Sequence, residues 1–367
     1  MKTRWTCEQA NEWYAKLGWL RGCNFIGSDC ANRIDMWQSY GSEARLENAD
    51  RELALCEKIG FNTVRYLVEF DVWYQERESF MDILEQYIAL AAKHGQLVML
   101  CLANEAQLPR GDKFVPKPLG EQFYALGYHQ GRLPLTAEQK ALAPYHVLER
   151  PDLKPLYIEM VQEIVGKYAH DKRVLSWNVY NEPGVSGIGD RAIPMLHALF
   201  DAVREMDPDQ PLCADIWRSL LDGKPRTAPE KVALELSDII SYHSYTPYEN
   251  MVPQLEALKE LGRPIFITEW LNRINHSDVR ELYPLFYLEN ISCYCWGFVV
   301  GKTQTNEPWE ALWADYYNPE KNVNYDFTKW QHDLFRPNLR PYDPNELEII
   351  KRYNKMADAR FEKQQNK

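Results

Sequence analysis

The chain has 367 residues, 45% of them apolar and 26% charged, and a formal net charge of −11 at pH 7. That length supports a large core, while the acidic balance argues against a nucleic-acid partner, whose phosphates need clustered Lys and Arg. No apolar run approaches the ~20 residues that span a bilayer, which argues against a membrane partner. At the amino terminus Glu8 stands where a signal peptide would carry its apolar segment, so a cytoplasmic protein is expected. Five of the eight cysteines (Cys23, Cys101, Cys213, Cys293 and Cys295) lie in apolar, strand-like runs and read as small buried hydrophobes, with no metal or disulfide chemistry.

Short apolar runs alternate with longer amphipathic ones along the chain. Strands are predicted over 21–28, 62–68, 96–103, 174–180, 211–217, 239–245, 264–270 and 293–299. Several are almost wholly apolar, as strands covered on both faces must be. Helical patterns over 42–59, 80–94, 153–169, 193–206, 248–261 and 277–290 separate them. A last helix opens at Asp343-Pro344, a capping carboxylate followed by a proline suited to the first turn, and runs to about Arg360. Eight strand–helix alternations imply parallel strands joined by right-handed crossovers. Their number over some 320 residues favours a closed α/β barrel, the (β/α)8 TIM barrel, over an open doubly wound sheet. With no Gly-, Ser- or Pro-rich linker, residues 1–367 read as one catalytic domain.

Two connections exceed what joining requires: 104–150 after the third strand and 301–342 after the eighth. Phe114, Phe123, Tyr124 and Tyr128 in the first, and Trp309, Trp313, Tyr316, Tyr317, Tyr325 and Trp330 in the second, point to ordered loops. Both leave the carboxyl ends of strands, the face on which barrels build active sites. The 12 Trp and 22 Tyr of the chain also supply flat surfaces of the kind that stack on sugar rings.

Polar groups gather at those carboxyl ends: Arg65 on strand two, Asn181 and Glu182 after strand four, His243 and Tyr245 on strand six, Glu269 on strand seven and Trp296 on strand eight. Strands four and seven lie across an eight-stranded ring from each other, so Glu182 and Glu269 would face one another over its mouth. Two such carboxyl groups suit glycoside hydrolysis, in which one donates a proton to the leaving oxygen and the other, ionised, attacks or stabilises the anomeric carbon. Arg65 would keep Glu269 charged. An acid in a less polar setting beside a second negative charge is pushed towards protonation, and moving it from ~4.3 to ~6.5 takes about 3 kcal/mol.

Over nearly its whole length the chain resembles clan A glycoside hydrolases, and most closely the cellulase-type enzymes of glycoside hydrolase family 5. The motifs that carry the likeness are Asn181-Glu182-Pro183, His243-Ser244-Tyr245, Ile267-Thr268-Glu269-Trp270, Trp296 and Arg65. The resemblance implies Glu182 as general acid/base and Glu269 as nucleophile. It also implies that Asn181 bonds the sugar 2-hydroxyl, Tyr245 holds the nucleophile, and Trp296 floors the subsite where the bond breaks. Family members commonly carry a His after strand three; here that stretch is Ala103-Asn104-Glu105-Ala106, and Asn104 or Glu105 would replace its contact.

Lys302 or Gln304, directly after strand eight, is a further candidate for a substrate hydroxyl, while Glu69, Asp71 and Trp37-Gln38 either line the cleft or are merely solvated. The expectation is thus a cofactor- and metal-independent retaining β-glycosidase, exo-acting on short gluco-, manno- or xylo-configured oligosaccharides. An endo-β-glycanase of cellulase or mannanase type is the alternative, and a catalytically silent carbohydrate-binding barrel a distant one.

Overall fold

Eight strands pair in sequence order, every pair parallel, and the eighth returns to the first to close a barrel. The structure, a computed structural model, describes residues 3–104, 111–123, 129, 137–142, 147–217 and 227–366. In chain order its elements begin α1 (Cys7–Ala15), β1 (Arg21–Asn24), α2 (Arg33–Trp37), α3 (Ser42–Ile59), β2 (Thr63–Leu67), α4 (Phe70–Gln75), α5 (Arg77–Lys93), β3 (Leu97–Cys101), α6 (Ala137–Ala141) and α7 (Lys154–Tyr168). They continue β4 (Val174–Tyr180), α8 (Ile193–Glu205), β5 (Leu212–Ile216), α9 (Ala228–Leu236), β6 (Ile240–His243), α10 (Tyr248–Lys259), β7 (Ile265–Trp270), α11 (Val279–Leu288), β8 (Ser292–Trp296), α12 (Glu310–Tyr316) and α13 (Pro344–Gln365). This is the expected (β/α)8 barrel. The paired segments of β1, β6 and β8 stop short of the apolar runs that announced them, because each chain turns into its loop there.

The barrel has an apolar floor and a polar upper layer. Met99, Leu175, Cys213, Phe266 and Tyr294, from five different strands, form one buried cluster with Ile239, just before β6, and with Ala10 and Tyr14 of α1. Residues from so many strands meet only inside the ring, so α1 plugs its amino-terminal end, with Trp13 stacked on Phe266 at 6.2 Å. The larger cluster lies between the strands and the surrounding helices and takes in both Cys293 and Cys295. Tyr294 points inward while its neighbours point outward, the alternation of a strand. Helix α1 was not anticipated in the sequence, nor was α9, although both start at a capping box, Thr6 with Gln9 and Thr227 with Glu230.

The ladder is irregular on four strand pairs, including β4–β5 beside Asn178, β6–β7 between Tyr242 and His243, and β7–β8 between Ile267 and Trp270. Such irregularities re-aim side chains, and these three lie on the strands that carry the polar groups of the barrel mouth. Among the described residues no helix is long and apolar enough to cross a membrane.

Candidate active site

Above the apolar floor the inward positions turn polar, and Arg65 is their hub. It is fully buried on β2. Its Nη1 donates to Asn24 Oδ1 at 2.7 Å and to Glu269 Oε1 at 3.1 Å. Its Nη2 donates to Asn181 Oδ1 at 2.6 Å, Asp215 Oδ2 at 3.0 Å and Asn178 Oδ1 at 3.1 Å. One guanidinium thus ties together β1, β2, β4, β5 and β7. Only a planar fork of donors reaches so many acceptors at once. Burial opposes its charge, but Asp215 and Glu269 hold its pKa above the ordinary value.

Glu269 ends in the most crowded position. Besides Arg65, Tyr245 donates its hydroxyl to Glu269 Oε2 at 2.7 Å, and His243 Nδ1 lies 3.5 Å from the same oxygen. Its carboxyl is pushed up by burial and by nearby Glu182, while His243, Arg65 and the Tyr245 hydroxyl pull the other way. Arg65 therefore offsets only part of the cost of burying this charge, less than the sequence suggested. The Tyr245 phenol itself is raised well above its usual value by burial and by the Glu269 charge, which keeps it a donor.

Glu182 sits directly after β4, where Asn181 forms a single bridge to Asn104 and donates its amide to Ala103 O at 2.8 Å. The backbone of Glu182 is left-handed, φ 47°, a strained conformation for a residue with a side chain. The turn continues through Pro183, whose carbonyl accepts from Trp217 Nε1 at 3.3 Å, and Gly184 at φ 86°. The Glu182 side chain is 20% exposed against 10% for Glu269, so it stands nearer the open mouth. His243 Nδ1 lies 2.7 Å from Glu182 Oε1.

Glu182, His243 and Glu269 bring donor atoms within 4.8 Å of one another, compact enough for one cation. Burial lowers the basicity of His243, but Glu269, Asp215 and Glu182 more than reverse this and raise its pKa to about 10. An imidazolium offers no lone pair to a metal, so the group is built to share a proton rather than to hold an ion.

Trp296, at the end of β8, pairs in register with Asn24. With Asn24, Phe25, Arg33, Met36 and Thr305 it lines a small cavity of about 30 Å³. That space lies on the β1 side of the carboxylates. The structure therefore assembles Arg65, Asn181, Glu182, His243, Tyr245, Glu269 and Trp296 at one mouth and sets Asn104 at its edge. Lys302 is exposed, its amide bonded to Ser28 O at 2.9 Å on the β1 side, and Gln304 is buried in the same turn at φ 54°. Glu105, Tyr124 and Tyr128 lie outside the described residues. Glu69, Asp71, Trp37 and Gln38 are buried rather than solvated, and Glu69 pairs with Arg33 at 3.1 Å and with Lys117 at 3.0 Å.

Five polar residues of the inner layer escaped the reading of strand ends: Asn24, Asn178, Asp215, Ser241 and Thr268. Their signal was there as single polar residues inside apolar strands. His129 carried no such signal. Its Nε2 donates to Glu307 O at 2.6 Å and its Nδ1 accepts from Trp309 Nε1 at 3.0 Å, which fastens the loop after β3 to the loop after β8. Trp309 in turn meets Tyr245 edge to face at 4.9 Å.

The family model described as Cellulase (glycosyl hydrolase family 5) matches residues 24–333. Among solved structures, the chain is similar to GH5_18 from Streptomyces cattleya in complex with GlcNAc, with 15% identity, TM-score 0.56, 94% of this chain and 80% of that one covered. It is similar to the glycoside hydrolase family 5 mannosidase from Rhizomucor miehei, with 13% identity, TM-score 0.54 and 94% of each chain covered. The GH5-4 broad specificity endoglucanase from an uncultured bovine rumen ciliate aligns at 14% identity and TM-score 0.54 over 97% of this chain and 99% of that one. At such identities the likeness shows the fold alone. No curated protein sequence matches the chain.

Proposed function

We propose, for a chain that belongs to the cellulase family of glycosyl hydrolases, family 5, and is therefore a glycoside hydrolase, that it works by double displacement with retention. Glu269 is the nucleophile and Glu182 the general acid/base. Glu269 attacks the anomeric carbon while Glu182 protonates the departing oxygen. Glu182 then takes a proton from the water that hydrolyses the glycosyl-enzyme. The observation that carries this reading is the closeness of the pair, with an oxygen of Glu182 and an oxygen of Glu269 within 4.8 Å. A retaining pair stands ~5–5.5 Å apart, an inverting pair ~6.5–9.5 Å to admit a water between them. The donors around Glu269 favour its charged form, and Asn181 is oriented by Arg65 towards the same space.

The action proposed is exo, on short β-linked gluco-, manno- or xylo-configured oligosaccharides. What supports it is the way the long loops close one side. The loop after β3 is docked to the β1 and β2 loops through Gly120 N to Gln38 Oε1 at 2.6 Å and Lys117 Nζ to Glu69 Oε1 at 3.0 Å. It is then latched to the β8 loop through His129 and Trp309. A groove walled in this way accepts a chain end. The eight free thiols, seven of them buried, fit a reducing compartment such as the cytoplasm. An open cleft and endo action is the second reading. A product time-course on β-linked tetra- to hexasaccharides separates them: monosaccharide as the first product is expected, and a ladder of intermediate oligomers would overturn the exo assignment.

A further inference from the structure

Two glutamates suffice for the bonds made and broken, yet a third carboxylate, Asp215 on β5, is buried without exposure just beneath them. Its Oδ1 accepts from Asn178 Nδ2 at 2.8 Å, from Thr268 Oγ1 at 3.1 Å and from the Ser241 hydroxyl. Its Oδ2 accepts from Arg65 Nη2 at 3.0 Å and lies 3.4 Å from His243 Nε2. His243 therefore stands between two carboxylates, Asp215 at one ring nitrogen and Glu182, 2.7 Å away, at the other. Among the described residues, the other charged or titratable groups near this pair are Glu269, 3.5 Å from Nδ1, the Arg65 guanidinium beyond Asp215, the Tyr245 phenol on Glu269, and the buried Cys101 and Cys213 thiols near Asp215.

We propose that Asp215 is a positioning residue for the acid/base step: it keeps a hydrogen on His243 Nε2, so that Nδ1 is the nitrogen through which His243 shares a proton with Glu182. This rests on Glu182 being the acid/base. A neutral imidazole carries hydrogen on one nitrogen only. With Nε2–H facing Asp215, the bare Nδ1 accepts from a protonated Glu182. When the proton moves to Nδ1, Glu182 is left a carboxylate and the imidazolium lies between two negative oxygens. Either way one proton is held within the pair. Without the Asp215 charge the opposite tautomer opens, with Nδ1–H against Glu182, a form in which Glu182 has no acceptor for its own proton. In the forward step the Glu182 proton goes to the leaving oxygen, which keeps the electron pair of the broken C–O bond, while a new C–O bond forms to Glu269. Water later returns a proton to Glu182, and nothing is oxidised or reduced. The environment agrees in sign: burial disfavours the Asp215 charge, but His243 and Arg65 hold its carboxyl far below the usual range.

The test is Asp215→Asn, assayed from pH 4 to 9 on aryl β-glycosides of graded leaving-group ability. A charge this close to an imidazole moves its titration by roughly 1–3 pH units. The basic limb of kcat/KM on poor leaving groups is expected to fall by at least about one pH unit, with a small change on dinitrophenyl glycosides, which need no proton. In a Glu182→Ala background the same substitution is expected to move no limb. Equal losses on every leaving group with an unmoved limb would mean that Asp215 only neutralises Arg65, and would overturn the proposal. If Asp215→Asn does not fold, ¹⁵N imidazole spectra of the wild type, assigned against His243→Asn, decide. As the ring loses its proton at high pH, a bare Nδ1 with hydrogen kept on Nε2 supports the proposal, and a bare Nε2 with hydrogen kept on Nδ1 overturns it. Full activity of Glu182→Ala on poor leaving groups would remove the acid/base assignment and this proposal together, whereas an intact Glu182 dependence with an unmoved limb overturns the proposal alone.

Discussion

Tyr245 and Glu269 are joined by a 2.7 Å hydrogen bond in which the phenol donates to the carboxylate oxygen that also faces His243. The bond spans neighbouring strand ends, and Asn275 Nδ2 holds the Tyr245 carbonyl at 3.0 Å from behind. It favours the charged form of Glu269, so its removal has a predictable sign.

Tyr245→Phe is expected to lower kcat/KM by about 10- to 100-fold, the worth of one charge-assisted hydrogen bond. The same loss lets the Glu269 carboxyl rise further, because burial then meets less opposition. The acidic limb of the pH profile should move to higher pH. A profile measured with one aryl glycoside checks both effects, and an unmoved acidic limb would separate Tyr245 from the ionisation of Glu269.

The two glutamates should fail differently. Glu269→Gly is expected to lose about a thousandfold or more in turnover on all substrates, as for any group that forms a covalent intermediate. Glu182→Ala should retain activity best on good leaving groups, and azide should restore part of it as the β-glycosyl azide, since the anomeric centre is then inverted twice. An α-azide from Glu182→Ala would exchange the two assignments.

His129→Ala removes the imidazole that accepts from Trp309 Nε1 and donates to Glu307 O. Burial holds this ring neutral, lowered to about 4, so the latch persists across the working pH range. Its loss should raise the share of oligomeric products from long substrates while kcat on aryl glycosides stays within roughly threefold, as fits a change remote from the reacting atoms. Unchanged product distributions would argue against the latch as the wall of the cleft.

Stability should depend on a buried acid outside the site. Glu52 of α3 lies beneath the β1 loop, accepting from Ser28 N at 3.2 Å, from Asn48 Nδ2 at 2.9 Å and from the Ser28 hydroxyl. Burial raises its pKa to about 7 despite those donors. The native state thus holds this proton where the unfolded chain has released it, and stability falls as pH rises from the unfolded value towards 7. The penalty is on the order of 3 kcal/mol above that range. Glu52→Gln should flatten the decline in melting temperature between pH 5 and 8; an equally steep decline in the variant would place the effect elsewhere.

The elements that repeat were legible in the chain. Strand and helix periods depend on local alternation, so all eight strands appeared in order, and α3 matched its 42–59 pattern to its closing Gly60 at φ 84°. Asn181-Glu182-Pro183 and Glu269 were legible too, since a charged residue ending an apolar strand has few structural uses. Helix α9 was readable but missed, because its Thr227–Glu230 capping box follows a polar stretch without strong periodicity. Closure alone decided the rest. Asp215 is one acid inside one strand until the ring brings Arg65 from β2 and His243 from β6 to the same carboxylate oxygen. His129 meets Trp309 across 180 positions of chain. Local propensity fixes which residues alternate; which charges must neutralise each other in a buried layer depends on distances that exist only once the barrel has closed.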